Sequence, residues 1–162
     1  MAIRVIRTEE DPVLRKISRP VKEVTPKIVT LIDDMLDTMY EAMGVGLAAP
    51  QVGILKRIVV IDIGEGPIVL INPEILETSG EQTGDEGCLS VPGKTGVVTR
   101  PNHVVVRALD ENMDEIEVEG EGLLARAICH ECAHLDGQLY TELVEGELMD
   151  TETESEETIT EE

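Results

Sequence analysis

The chain has 162 residues, and its 34 acidic side chains against 13 Lys and Arg give a formal net charge of −21 at pH 7. The length fits one domain. Phe and Trp are absent and Tyr occurs twice, so its core must be built from Val, Ile, Leu, Met and Ala. We expect no direct nucleic-acid binding, because this charge repels a phosphate backbone unless a basic patch survives locally, and few aromatic rings are available to stack on bases.

The first half of the chain predicts a helix followed by short strands. Asp11-Pro12 predicts an N-cap and a short helical turn, and Thr25-Pro26 repeats the signal at the start of a longer helix that should end near Gly44. The apolar positions of this helix follow the spacing of one buried face: Ile28, Leu31, Ile32, Met35, Leu36 and Met39. Short β-type runs follow at 58–61, 68–71, 97–99, 104–109 and 115–119, separated by Gly, Pro and Asn.

A final helix is predicted from Gly122 to His134, ending near Gly137. The order of one amphipathic helix, many short strands and a C-terminal helix predicts an α+β fold. We expect residues 1–148 to form one domain. From residue 149 onward the chain is strongly acidic and nearly free of apolar residues, so residues 149–162 should form a mobile or weakly docked tail.

The compartment can also be inferred from the sequence. No apolar run approaches the roughly 18 residues of a membrane span, and the N-terminus lacks the apolar core of a secretory signal. The cysteines Cys88, Cys129 and Cys132 are odd in number, which does not suggest a disulfide framework. Thiols kept reduced in the cytoplasm are the simpler interpretation.

The segment His130-Glu131-Cys132-Ala133-His134 is an HExxH motif on the predicted C-terminal helix. Residues four apart project about 40° apart around a helix, so both imidazoles can reach one metal ion. Glu131 lies about 80° from their mean direction, close enough to meet a water bound to that metal. The plain alternative is that the two His and the Glu are ordinary surface residues.

An HExxH site needs at least one more ligand. Cys88, in Glu86-Gly87-Cys88-Leu89-Ser90, offers a thiolate that suits zinc or ferrous iron, although a lone Cys is more often a small buried apolar residue. The acids downstream of the motif compete with it for this role: Glu142, Glu145 and Glu147. Cys129 and Cys132 point away from the two His on the helical wheel, and we interpret them as packing residues.

The segment Gly44-Val45-Gly46-Leu47-Ala48-Ala49-Pro50-Gln51 leaves its main chain bare, which suits a wall along which a substrate backbone lies. The Gln51 amide can donate a hydrogen bond to a developing oxyanion. Read alone, the segment is also compatible with a simple turn of small residues after a helix.

Together, GVGLAAPQ, EGCLS and HECAH, in this order and spacing, closely resemble the three signature motifs of peptide deformylases, and the resemblance spans roughly residues 2–148. It implies an α+β fold with the metal-binding helix packed against sheets. It also implies removal of the formyl group from N-formylmethionyl nascent peptides. The implied cofactor is one divalent metal, Fe²⁺ first, with Zn²⁺ or Ni²⁺ as substitutes.

By matching motif positions, the resemblance assigns roles to individual residues. The implied metal ligands are Cys88, His130 and His134, and a water activated there would attack the formyl carbon with Glu131 as general base and acid. The remaining roles fall on two groups. Gln51 and the backbone N–H of Leu89 would hold the formyl oxygen; Gly46 would pair with the substrate backbone, and Val45 and Ala127 would line the methionine pocket.

The sequence departs from the family where Ala133 replaces the usual acid and Cys129 the common Gln. We expect the loss of the acid to loosen or retune the metal site and to leave Arg100 without its usual kind of partner. Two other functions stay open. One is a catalytically weakened or silent relative that serves as a binding module, and the other is an HExxH endopeptidase with a ligand downstream of His134. Ribosome contact through a basic C-terminal extension is not supported, because this C-terminus is acidic.

Overall fold

A five-stranded sheet lies between the two α-helices of the described residues. The structure, a computed structural model, describes residues 2–150. The helices are α1 (Pro26–Glu41) and α2 (Leu123–Leu135). The strands are β1 (Gly46–Ala48), β2 (Ile58–Ile61), β3 (Ile68–Ser79), β4 (Gln82–Cys88), β5 (Val91–Arg100), β6 (His103–Leu109), β7 (Glu115–Glu121) and β8 (Glu145–Asp150). Short 3₁₀ turns occupy Pro12–Arg15, Ala49–Val52 and Tyr140–Glu142.

Both sheets are antiparallel. The larger sheet has the order β1-β2-β3-β6-β7, and the smaller sheet has the order β4-β5-β8. The helix α2 contacts the larger sheet and also β5 of the smaller one. The α+β class predicted from the sequence is confirmed.

Alternating side chains of the larger sheet form two cores, because successive residues of a strand point to opposite faces. The core on the α1 side takes Leu47, Ile58, Val60 and Ile71 from the sheet. The core on the α2 side takes Ala48, Val59, Ile61 and Leu70. All of β2 is therefore buried, which explains why its sequence is a continuous apolar run rather than an alternating one.

The helix α1 begins where the sequence indicates and ends earlier than predicted. The Thr25 hydroxyl accepts a hydrogen bond from the Ile28 N–H at 3.3 Å, and Pro26 occupies the first turn. The predicted end was Gly44, but the last helical residue is Glu41. The reversal takes place at Met43, whose φ is +56°, and the Gly44 N–H then bonds the Met39 carbonyl at 2.9 Å.

Several strands are longer than predicted, and β1, β4 and β8 were not predicted at all. The strand β3 continues past Asn72-Pro73, which had indicated a stop, through a register shift between Ile71 and Glu74. Asn72 adopts a φ of +52°, and its side-chain amide bonds both backbone groups of Val21 at 2.8 Å. A bulge rather than a turn therefore occupies this position.

The strand β8 extends two residues into the predicted tail, since Thr95 pairs with Met149 and Lys94 with Asp150. The rest of the predicted tail, residues 151–162, lies outside the described residues. Within the described residues, neither helix is long and apolar enough to span a membrane.

Candidate metal centre and active-site pocket

Three side chains from two elements converge beside the larger sheet. The helix α2 presents His130 and His134, and Cys88 is the last residue of β4. Their candidate ligand atoms all lie within 4.8 Å of one another, and they are the one such group of three found in the described part of the chain. Cys88 Sγ lies 3.2 Å from His134 Nε2.

The acids downstream of the motif do not join this group of three. Glu142 forms an ion pair with Arg15 at 2.8 Å, and Glu145 accepts a hydrogen bond from the Thr99 hydroxyl at 2.5 Å. Glu145 and Glu147 lie on β8, and all three acids are exposed. The ligand set required by the endopeptidase alternative is therefore not assembled among the described residues.

One thiolate and two imidazoles fit a divalent transition metal such as zinc or ferrous iron. A second observation supports the fit. Glu131 is 5% exposed, and its Oε1 is buried without a hydrogen-bond partner among the described residues. Such an orphaned oxygen is costly unless a water or ligand completes the site.

A buried carboxylate, Glu86, orients His130. Glu86 Oε2 accepts from His130 Nδ1 at 2.5 Å and from Arg100 Nη2 at 2.6 Å. Its Oε1 accepts from Arg100 Nε at 3.1 Å and from Arg126 Nη1 at 2.8 Å. The expectation that Arg100 lacks a partner is wrong, because β4 supplies the carboxylate that residue 133 does not. The bond to Nδ1 leaves the His130 Nε2 lone pair for a metal.

The charges of this cluster follow from the same contacts. Burial opposes ionisation of Glu86, but hydrogen bonds from His130 and Arg100 outweigh it and lower its pKa to about 2. For His130 burial again opposes the charge, yet the bonds to Cys88 and Glu86 raise its pKa to about 10. Burial first, and then repulsion from His130, lower the pKa of His134. Only neutral imidazole coordinates a metal, so a metal would compete with a proton for His130.

Glu131 sits against the wall of β1. Burial raises the pKa of Glu131 to about 7, despite the opposing attraction of His130. A Cβ at Gly46 would lie 2.5 Å from Glu131 Oε2, closer than any side chain permits. Glycine at this position therefore makes room for the carboxylate.

Gln51 is held in one orientation by its neighbours. The 3₁₀ turn Ala49–Val52 carries it, and its Oε1 accepts from the Ala48 N–H at 2.9 Å. Its Nε2 donates to Ser90 Oγ at 3.0 Å and lies 3.6 Å from Cys88 Sγ. Leu89 lies between β4 and β5, directly after Cys88. Both residues predicted to hold the formyl oxygen thus adjoin the cysteine.

A pocket of about 290 Å³ opens onto this cluster. Its lining includes the predicted substrate residues Val45, Gly46 and Ala127. It also includes the predicted Cys88, Leu89, His130 and Glu131, whereas Gln51 and His134 are buried and do not line it. Met43 and Leu123, which the sequence did not single out, also line the pocket and are 90% and 51% exposed.

The sequence also missed Glu86 and Arg126, although Glu86 stands two residues before Cys88 in a motif already quoted. An acid beside a ligand is a signal for an outer-shell partner. Cys129 and Cys132 pack in the α2 core, as predicted. Burial raises the pKa of both thiols, that of Cys132 to about 12, so neither is reactive.

Comparison with known proteins places this site in a family. The sequence profile of the polypeptide deformylase family matches residues 3–148. Peptide deformylase of Agathobacter rectalis is 75% identical over 150 residues, which cover 93% of this chain and 95% of the relative. Peptide deformylase of Lachnoclostridium phytofermentans is 66% identical over 160 residues, which cover 97% of this chain and 98% of the relative.

Solved structures of peptide deformylases also match the chain. The crystal structure of peptide deformylase from Thermotoga maritima matches with a TM-score of 0.88 at 40% identity, covering 90% of this chain and 100% of that one. Peptide deformylase from Synechococcus elongatus, in complex with actinonin, matches with a TM-score of 0.85 at 44% identity, covering 87% of this chain and 78% of that one. The chain belongs to the polypeptide deformylase family.

Proposed function

We propose that the pocket hydrolyses the formyl group from the N-terminal formylmethionine of newly synthesised polypeptides, with the residue roles given below. The enzyme class follows from family membership: the chain is a deformylase, a hydrolase that acts in N-terminal protein modification. The observation that carries the residue roles is the cluster of a cysteine sulfur and two imidazoles beside a pocket that Glu131 lines, with the Glu131 Oε1 buried and unpartnered among the described residues.

Cys88, His130 and His134 would hold one divalent metal, with Fe²⁺ the first candidate and Zn²⁺ or Ni²⁺ the alternatives. When bound, such a metal activates water and polarises a carbonyl oxygen as a Lewis acid. Glu86 keeps His130 in the tautomer that leaves Nε2 free, and Arg100 and Arg126 keep Glu86 ionised.

Glu131 acts as the general base and then the general acid. Burial raises its pKa to about 7, and a carboxylate with a pKa near neutrality can both accept and return a proton efficiently at neutral pH. It takes the proton of the attacking water at the formyl carbon. It then delivers that proton to the departing amine, so that formate and a free N-terminus are released.

Gln51 and the backbone N–H of Leu89 stabilise the oxyanion of the tetrahedral intermediate. The Gln51 amide is oriented by Ala48 and Ser90, and the Nε2 N–H that faces Cys88 Sγ at 3.6 Å would turn to the oxyanion. A formyl carbon carries only hydrogen, and a tight pocket at this position admits it while excluding an acetyl group.

The substrate backbone lies along β1, which is the outer strand of the larger sheet. An extended peptide can add to such an edge through main-chain hydrogen bonds. The main chain of Gly46 would form such a hydrogen bond with the substrate. Val45 and Ala127 would line the space for the methionine side chain within the pocket of about 290 Å³.

The expected setting is the cytoplasm, where nascent formylated peptides are the partners. The acidic C-terminus gives no support to ribosome docking through that end, and the net charge of −21 argues against direct nucleic-acid binding. Residues 1–148 form the catalytic domain in this proposal.

The test is metal analysis and formate release from a formyl-Met peptide, on protein purified without oxygen. Glu131→Gln should keep the metal and lose turnover by about 10²- to 10⁴-fold, because the base is removed while the ligands stay. Glu117→Gln, the same change at an exposed acid of β7, should have no effect. Near-normal turnover in metal-loaded Glu131→Gln would contradict the role of Glu131.

A further inference from the structure

A second concave surface lies outside the active-site pocket. Two adjoining cavities of about 420 and 630 Å³ share Lys27, Ile28 and Lys56. We call their combined surface the basic groove. It is formed by residues 19–23, the first turns of α1, Arg4, and the loop before β2. None of its lining residues lines the active-site pocket.

Four of the five cations that line the basic groove form no ion pair with residues 2–150, whereas Arg4 pairs with Asp34. Seven of the chain's bases form ion pairs with acids, all of them Arg: Arg4, Arg7, Arg15, Arg57, Arg100, Arg107 and Arg126. Six form no ion pair within residues 2–150: Lys16, Arg19, Lys22, Lys27, Lys56 and Lys94. Four of these six line the groove, and all four are exposed: Arg19, Lys22, Lys27 and Lys56.

This segregation is unusual for a chain with 34 acids and 13 bases. Acids are numerous enough to pair with every exposed cation, yet Glu23 is the one acid that lines the groove. The first turn of α1 also contains no acid. Unpaired like charges held together repel one another, so their clustering suggests that an anionic partner binds there.

The floor of the groove is apolar, with contributions from Val21, Ile28, Leu31 and Ile54. No aromatic side chain lines it. Nucleic acid is therefore the weaker candidate, since single strands are held by stacking on aromatic rings as well as by cations. Acidic side chains can meet the rim while apolar side chains lie on the floor, an arrangement that a peptide segment can supply.

We propose that the basic groove is a docking site for a peptide segment of a partner protein that carries both acidic and apolar side chains. The proposal is independent of the reaction in the active-site pocket. Rim charges of this kind chiefly set the association rate and its salt dependence, so binding should weaken as ionic strength rises.

The experiment measures fluorescence anisotropy of a labelled peptide in which Glu and Leu residues are interspersed with Ser, titrated with the full-length protein. Two matched peptides replace every Glu by Gln or every Leu by Ser, and a labelled uridine oligonucleotide replaces the peptide in a further arm. The expected result is saturable binding of the Glu- and Leu-containing peptide, and weaker binding of the other three probes.

Two variants with the same change in net charge localise the site. Lys22→Glu with Lys27→Glu should raise the Kd about tenfold, which is about 1.4 kcal/mol. Lys16→Glu with Lys94→Glu reverses two unpaired cations outside the groove and should change the Kd by less than about twofold. Both variants should keep the melting temperature and the turnover, since these side chains are exposed.

Equal weakening by the two variants would overturn the proposal, because it would show only a response to net charge. Absence of saturable binding by the Glu- and Leu-containing peptide would overturn it as well. The proposal would also be overturned if the peptide that lacks Leu bound as tightly as the Glu- and Leu-containing peptide. Tighter binding of the oligonucleotide than of the Glu- and Leu-containing peptide would overturn it too.

Discussion

Replacement of Glu86 by Gln should weaken both the fold and the metal site. The buried carboxylate accepts hydrogen bonds from Arg100, Arg126 and His130. Gln is nearly isosteric but neutral, and its NH₂ group would face donors where the second oxygen now accepts. Two buried guanidinium groups would then lack a counterion, and the His130 ring would lose the group that orients it.

The pKa of Glu86 gives the size of the effect on stability. A fall from 4.5 to about 2 corresponds to about 3 kcal/mol of stabilisation from ionised Glu86. Because the folded-state pKa is lowered, this stabilisation is present above about pH 4.5 and is lost as the pH falls towards about 2. The difference in the free energy of unfolding between the wild type and Glu86→Gln should therefore be largest at pH 7. It should shrink as the pH falls from about 4.5 to about 2.

Denaturant unfolding of the wild type and Glu86→Gln in the presence of a chelator measures the difference in their free energies of unfolding. Chelator competition at neutral pH measures their metal affinity. We expect a loss of about 3 kcal/mol and a fall in metal affinity of about 10- to 100-fold. Glu117→Gln is the matched control, since it removes an exposed carboxylate from β7, and should stay within about 0.5 kcal/mol. Wild-type stability and metal retention in Glu86→Gln would refute the reasoning.

Three further changes test other parts of the site and the fold. Gly46→Ala should reduce turnover at least about tenfold, because a Cβ there would lie 2.5 Å from Glu131 Oε2. Gly84→Ala, whose Cβ would make an ordinary 3.7 Å contact with Arg126, is its control, and equal turnover of the two variants would contradict the expectation. Cys88→Ala should abolish metal–sulfur scattering in X-ray absorption spectra and lower the metal content, and unchanged metal content would remove Cys88 from the ligand set. A chain ending at Asp150 should keep its melting temperature within a few degrees because β8 stays complete. A large fall would show that residues 151–162 contribute to the fold.

The fold could be predicted where a segment carries its own signal. The amphipathic spacing of α1 and the apolar run of β2 depend on local sequence, and both were located within a few residues of their observed bounds. Strand β1 is made of Gly, Leu and Ala, and it is a strand because it pairs with β2. The polar strands β4 and β8 likewise exist through their pairing with β5. Pairing between distant segments is not encoded in the local pattern.

In the site, too, features encoded in the local sequence could be predicted, whereas contacts between distant segments could not. Helical periodicity alone places His130 and His134 on one face, because four residues separate them. The choice between Cys88 and the downstream acids could not be made by periodicity, since it depends on where β4 ends relative to α2. Glu86 was missed for the same reason. Its partners Arg100, Arg126 and His130 lie 14, 40 and 44 residues away in the chain and meet only in the folded protein.

The position of Ala133 can now be interpreted physically. An acid at this place was expected to serve Arg100, yet Arg100 already forms a two-point contact with Glu86, which also accepts from His130 Nδ1. Near Ala133, Arg57 bonds the Leu135 carbonyl and Asp136 at the end of α2, so an intact cap closes the helix there. His130 and Arg100 therefore have a carboxylate partner without an acid at residue 133, because that carboxylate comes from β4 rather than from α2. The Nδ1 of His134, by contrast, is buried and has no hydrogen-bond partner within residues 2–150. Since the substitution leaves both Arg100 and His130 with a partner, neither residue gives a structural reason for regarding the chain as an inactive relative.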